Sequence, residues 1–72
     1  MIDTTKLYDV VALTKHLSEL HLRRGDVGVV IDIGPNGHYL LEFADRNGVP
    51  YATTTIAANG LMKVYLHADM ME

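Results

Sequence analysis

Val27-Gly28-Val29-Val30-Ile31-Asp32-Ile33 decides the fold class. Four β-branched residues, Val27, Val29, Ile31 and Ile33, occupy alternate positions, while Gly28, Val30 and Asp32 fill the others. A period of two places each set on one face of a strand, and the fully apolar set is expected to face the core. Gly34-Pro35-Asn36-Gly37 follows. Asn-Gly tolerates the positive φ that a tight hairpin connection demands. A second strand is predicted over Tyr39–Ala44, where Tyr39, Leu41 and Phe43 alternate with Leu40, Glu42 and Ala44. Asp45-Arg46-Asn47-Gly48 repeats the Asn-Gly signal, and Tyr51–Ile56, with the β-favouring run Thr53-Thr54-Thr55, reads as the next strand. Pro50 has no N–H to give a ladder, so that strand begins after it or lies on an edge. Ala57-Ala58-Asn59-Gly60 reads as a connector with one 3-10 turn, and Leu61–Leu66 as the last strand.

Toward the N-terminus, Leu7–Leu13 is apolar, partly β-branched and of strand length. Thr14–Arg24 admits two readings. Leu13, Leu17 and Leu20 stand at helical spacing, and Glu19 with Arg23 forms an i, i+4 pair, so a two-turn amphipathic helix fits. A long loop with apolar anchors and one helical turn fits as well, and is favoured because the flanking strands need a wide connection. The sum is one all-β domain spanning residues 1–72, a small five-stranded barrel with its core in residues 6–66 and flexible ends at 1–5 and 67–72. Val10, Ala12, Val27, Val29, Ile31, Leu41, Phe43, Ile56, Leu61 and Val64 are the expected core.

Composition narrows the chemistry. A chain of 72 residues buries little surface and needs a staple or good packing, and it has no cysteine for disulfides, thiolate zinc sites or a thiol nucleophile. With 49% hydrophobic residues, close packing and self-association both suit it, so a homodimer is one expectation. The net charge is −3, and six Lys and Arg are spread along the chain with only Arg23-Arg24 adjacent. Nucleic acid and anionic membranes are therefore unexpected partners. No apolar run approaches the roughly 20 residues of a membrane span, and Met1–Lys6 has no signal-peptide pattern, so the expected location is cytoplasmic.

Lys6-Leu7-Tyr8-Asp9-Val10-Val11-Ala12-Leu13, Arg24-Gly25-Asp26-Val27-Gly28-Val29-Val30, and Glu42-Phe43 with Asp45 and Gly48 resemble an uncharacterised bacterial family of very small SH3-like proteins. The resemblance runs from Lys6 to about Val64. It implies an SH3-like barrel in which Thr14–Arg24 is the first variable loop. It also implies a stand-alone partner-binding module; some such proteins look to be encoded beside small toxin-like proteins, which suggests an antitoxin role. Thr53-Thr54-Thr55 departs from the leucines that relatives tend to carry in the fourth strand. Gly25-Asp26-Val27-Gly28 with Val29-Val30 is also similar to the turn and strand of the KOW motif, whose basic neighbours touch RNA. Here the nearby charges are Asp26 and Asp32, and the turn alone accounts for the glycines.

No catalytic constellation is visible. Asp32 and Glu42 lie on strands joined by a hairpin, but each sits as polar residues do on the solvent face of a half-buried strand. Ser18 is the only serine and has no nucleophile elbow around it. His16 and His21 are five residues apart, a spacing that suits neither a helix face nor a strand face, so no metal site and no cofactor is expected. His38 and His67 complete the histidines. Tyr8, Tyr39, Tyr51 and Tyr65 fall in different predicted strands, and Tyr is favoured at interfaces. The partner-binding candidates are Tyr51 and Tyr65, with His21, Arg23 and Arg24 at the end of the long loop. The expected function is non-catalytic binding of another protein, encoded nearby, through the long loop, an accessible strand edge or the apolar fourth-to-fifth strand region, with an antitoxin as its sharpest form. The rival is a structural subunit or homo-oligomeric component; a KOW-like RNA-binding barrel comes third.

Overall fold

The computed structural model describes residues 5–65, and over them the chain is all-β. Its strands are β1 Val10–Leu13, β2 Val27–Ile33, β3 His38–Ala44, β4 Pro50–Ala57 and β5 Leu61–Lys63. They form one antiparallel sheet in the order β4-β3-β2-β1-β5, so β4 and β5 are its edges. A 3-10 turn over Ala58–Gly60 joins those edges in sequence, as expected.

Local chemistry sets the turns. Between β2 and β3, Asn36 and Gly37 take φ of 61° and 72°, the left-handed pair that Asn-Gly was expected to supply. Between β3 and β4 the Asp45 carboxylate does more: its Oδ1 accepts the N–H of Asn47 at 2.8 Å and of Val49 at 3.0 Å, and only Gly48 has positive φ. Pro50 starts β4 on a sheet edge, where its missing N–H costs no ladder bond. The strand expected from Leu7 begins only at Val10. Tyr8 takes φ of 69°, in a turn where Asp9 Oδ2 accepts the Lys6 N–H at 2.7 Å.

The buried cluster is Val11, Leu13, Leu22, Val30, Leu41 and Phe43, with Leu17, Tyr39, Ala52, Ile56 and Leu61 packed on it. Leu41, Phe43, Ile56 and Leu61 are therefore core residues as expected. The face assignment of β2 is reversed. Val30 is fully buried and Val27 is 50% exposed. Val29 and Ile31 are half-buried on the side away from the cluster, as is Val10, which pairs with Val29; Val64 is half-buried outside it. Ala12 is buried but outside the cluster, flanked in register by Val27 and Met62.

The reason is the ring of Phe43. A Cβ built on Gly28 would lie 2.9 Å from Phe43 Cε2 and 3.1 Å from the Glu42 carbonyl oxygen. The ring occupies the volume of the side chain that residue 28 lacks. That contact fixes Gly28 on the core face, with Val30 two residues on and Val11 directly across the ladder. A bulge then resets the alternation: pairing slips between Val30 and Asp32, leaving Ile31 as the extra residue.

Two substitutions test this arrangement by urea denaturation. Gly28→Ala is expected to cost about 1–3 kcal/mol by overpacking, and Phe43→Leu in the same chain to recover part of the loss. Val30→Thr buries an unpaired hydroxyl and is expected to cost about 1–3 kcal/mol, whereas Val27→Thr stays within about 0.5 kcal/mol. The opposite order would put the core on the other face.

Candidate functional site

Thr14–Arg24 is a loop with one 3-10 turn, Ser18–Leu20, as favoured over the helix. It folds back on itself. Leu17 donates its N–H to the Leu22 carbonyl at 2.8 Å, and Leu22 returns the bond to Leu17 at 3.1 Å. His21 closes the turn at φ of 57°. This small hairpin drives Leu22 into the core and lays Leu17 against it, which is the apolar anchoring a long loop needs. The loop base is tied down as well: Thr14 donates its N–H to the Gly60 carbonyl at 3.0 Å, and Gly25 to the Leu13 carbonyl at 2.7 Å.

Held this way, the loop faces the end of β4 and the 3-10 turn beyond it. A groove of about 310 Å³ lies between them. Lys15, Leu17, Glu19 and Leu20 form one wall; Thr54–Ala57 with Asn59 and Gly60 form the other, and Leu13 reaches in. A second hollow of about 390 Å³ is lined by Asp32, Gly34, Pro35, Asn36, His38, Leu40 and Thr55 at the β2–β3 turn. Three of those seven are turn residues, and all but Leu40 are exposed. The first groove differs because it follows the edge strand β4 over the four residues Thr54–Ala57, whereas the second touches β4 at Thr55 alone.

The structure distributes the expected site residues. His21, Arg23 and Arg24 are exposed on the loop, outside the groove lining. Arg23 donates its backbone N–H to Asp26 Oδ2 at 2.9 Å, and Arg24 its backbone N–H to His16 Nδ1 at 3.1 Å. Tyr51 is the extra residue of a second bulge, on β4 opposite Phe43 and Ala44, and is 56% exposed. Tyr65, half exposed, lies just past β5 with Lys63 Nζ 5.3 Å from its ring centroid. Lys63 Nζ also stands 3.4 Å from Asp9 Oδ2. Tyr51 and Tyr65 thus belong to opposite edges of the sheet, and neither joins the loop residues. Of the tyrosines, Tyr39 packs on the core, while Tyr8 is exposed in its turn rather than on a strand. Asp32 is exposed and Glu42 half-buried, away from the core cluster; no group of three or more side chains able to hold a metal gathers among the described residues. His67 lies outside them.

Sequence reasoning pointed to the long loop, a strand edge and the fourth-to-fifth strand region as contact surfaces, but did not single out Lys15, Leu17, Glu19, Leu20 and Thr54–Ala57 as one site. The available signal was the absence of any charge from Val49 to Leu61, unusual for an exposed edge strand.

A single antiparallel sheet, a pinned loop and a groove along one edge define a small all-β protein whose candidate site is that groove. The chain belongs to the family described as Domain of unknown function (DUF4926), whose model matches residues 7–63. No curated protein and no solved structure gives a significant match. No helix of the described residues is long and apolar enough to cross a membrane.

Because Leu22 carries the loop wall, Leu22→Ala is expected to cost about 2–5 kcal/mol. Amide hydrogen exchange should quicken first over Lys15–Arg24. Uniform quickening across β1–β5 would mean that the loop has no independent anchor.

Proposed function

We propose that this protein is a non-catalytic protein-binding module that acts in the cytoplasm. Its binding surface is the groove between the long loop and the end of β4. The supporting observation is the pairing of an apolar-walled groove with an unpaired strand edge, two features that association covers in other proteins. The strand order, the long loop after β1 and the 3-10 turn before β5 support an SH3-like barrel as the scaffold. Neutralisation of a toxin encoded nearby is the narrower form of the same proposal.

A homo-oligomeric role is supported by a different surface. Val27 and Met62, exposed on either side of the buried Ala12, make an apolar row across β2, β1 and β5. The two readings separate in one experiment. Tagged protein is recovered from its native cells and the retained proteins are identified by mass spectrometry. One small partner at near-equal stoichiometry is expected. Leu20→Glu, on the groove wall, should reduce its retention by about tenfold, as loss of a central contact does, and Val27→Glu should leave it unchanged. The reverse pattern, with only the protein itself retained, would favour the homo-oligomer. Growth rescue on co-expression with the captured protein tests the antitoxin form.

A further inference from the structure

We propose that the groove takes one extended, acidic segment of a partner protein, added as a strand along the free edge of β4. This rests on the binding-module reading and supplies its mode of recognition and the chemistry of its partner.

The two sheet edges are protected unequally. β5 is three residues long and carries Lys63, both standard ways of discouraging another strand. β4 is eight residues long. Pro50 and the Tyr51 bulge guard its start, but Ala52–Ala57 contains no charge, no proline and no bulge. Among the described residues, Pro50–Ala57 makes backbone hydrogen bonds to β3 alone. Alternate N–H and C=O groups therefore point away from the sheet, along a stretch of roughly 20 Å at the usual strand rise. The groove follows the last part of that edge, and Leu17 and Leu20 opposite it give an incoming chain apolar contacts for alternate side chains.

Charge selects the occupant. Thr14–Arg24 holds Lys15, Arg23 and Arg24 against Glu19 alone, a net +2 with histidines neutral, in a chain of net −3. The rest of the chain is thus −5. The single ion pair among the described residues is Lys63 with Asp9, so Lys15, Arg23 and Arg24 have no carboxylate partner there. The bond from Arg24 N–H to His16 Nδ1 holds Arg24 beside the Lys15–His16 segment; Lys15 and Glu19 line the groove itself, and Arg23 and Arg24 add the loop's net positive charge just outside that lining. An acidic strand answers this arrangement. A second copy does not: its β4 would arrive backed by its own β3, would meet the loop wall, and would bring another cationic loop with it. RNA fits less well, because the groove lining has no aromatic side chain for bases to stack on.

The test uses the whole chain, isotope-labelled for NMR, and the strongest binder selected from a randomised linear peptide library. Binders rich in Asp and Glu are expected, with slowed amide exchange confined to Ala52–Ala57 and the facing loop. Methylating alternate backbone nitrogens of the peptide should abolish binding, because strand addition needs those N–H groups. Lys15→Glu with Arg24→Glu should weaken it about tenfold without moving the unfolding midpoint, and Thr55→Lys should block the edge from the other wall. A neutral or basic consensus, protection over Val27 and Met62, a dimer paired through β4, capture of RNA, or no binder at all would each overturn the proposal. If a stoichiometric partner is nevertheless recovered from native cells, strand addition falls and the binding module stands; if neither is found, both fall.

Discussion

Everything in this molecule is keyed to one close contact, the ring of Phe43 lying where a side chain at position 28 would be. A Cβ there would sit 2.9 Å from the ring, closer than such contacts are tolerated. The contact needs a glycine, and the glycine in turn fixes which face of β2 is buried. Since side chains alternate along a strand, that one choice places Val30 inward and leaves Val27 half exposed. It also aligns Val11 on β1 across the ladder from Gly28 and Leu41 on β3 across from Val30. Close packing makes such a contact unforgiving, because an interior at crystal-like density has no slack to absorb an added methyl group.

The element order was legible because turns carry strong local chemistry. The Asn-Gly pairs, Pro50 and the run Ala57–Gly60 each announce themselves by backbone preference. So each break fell where it was read, although β1 and β5 proved shorter than expected. The face of β2 was illegible for an equally specific reason. Counting apolar residues favours Val27, Val29, Ile31 and Ile33, since glycine scores as nothing in such a count. Only the volume of a ring from another strand gives Gly28 its place inside. The bulge at Ile31 obscures the pattern further, because it breaks the period that the count assumes.

The candidate site was less legible than the fold. Arg23, Arg24 and His21 were singled out as exposed polar residues, and they are exposed. What organises the groove is the anchoring of Leu22 and Leu17, and Leu17 also falls in the helical spacing of Leu13, Leu17 and Leu20. Tyr51 and Tyr65 looked alike in sequence, as aromatics on late strands. The sheet order separates them to opposite edges, one on a bulge and the other beside Lys63. Position across a sheet is a property of topology, and no local pattern around either tyrosine encodes it.

The family to which the chain belongs carries no assigned activity, so the physical asymmetries of the molecule have to carry the functional argument. Two of them coincide. A sheet paired in this order has β4 and β5 as its two edges, and the chain shortens one of them while leaving the other long and uncharged over Ala52–Ala57. Independently, an acidic chain gathers half of its cationic side chains into the one loop that faces the unprotected edge. A loop needed only to cover the core would require Leu17 and Leu22 and nothing of Lys15, Arg23 or Arg24. An edge needed only to end the sheet would be served better by a lysine within the Thr53-Thr54-Thr55 run. The two departures meet at one groove, with Lys15 on its loop wall and Thr54–Ala57 on the other, and that coincidence is the reason to look for its occupant there.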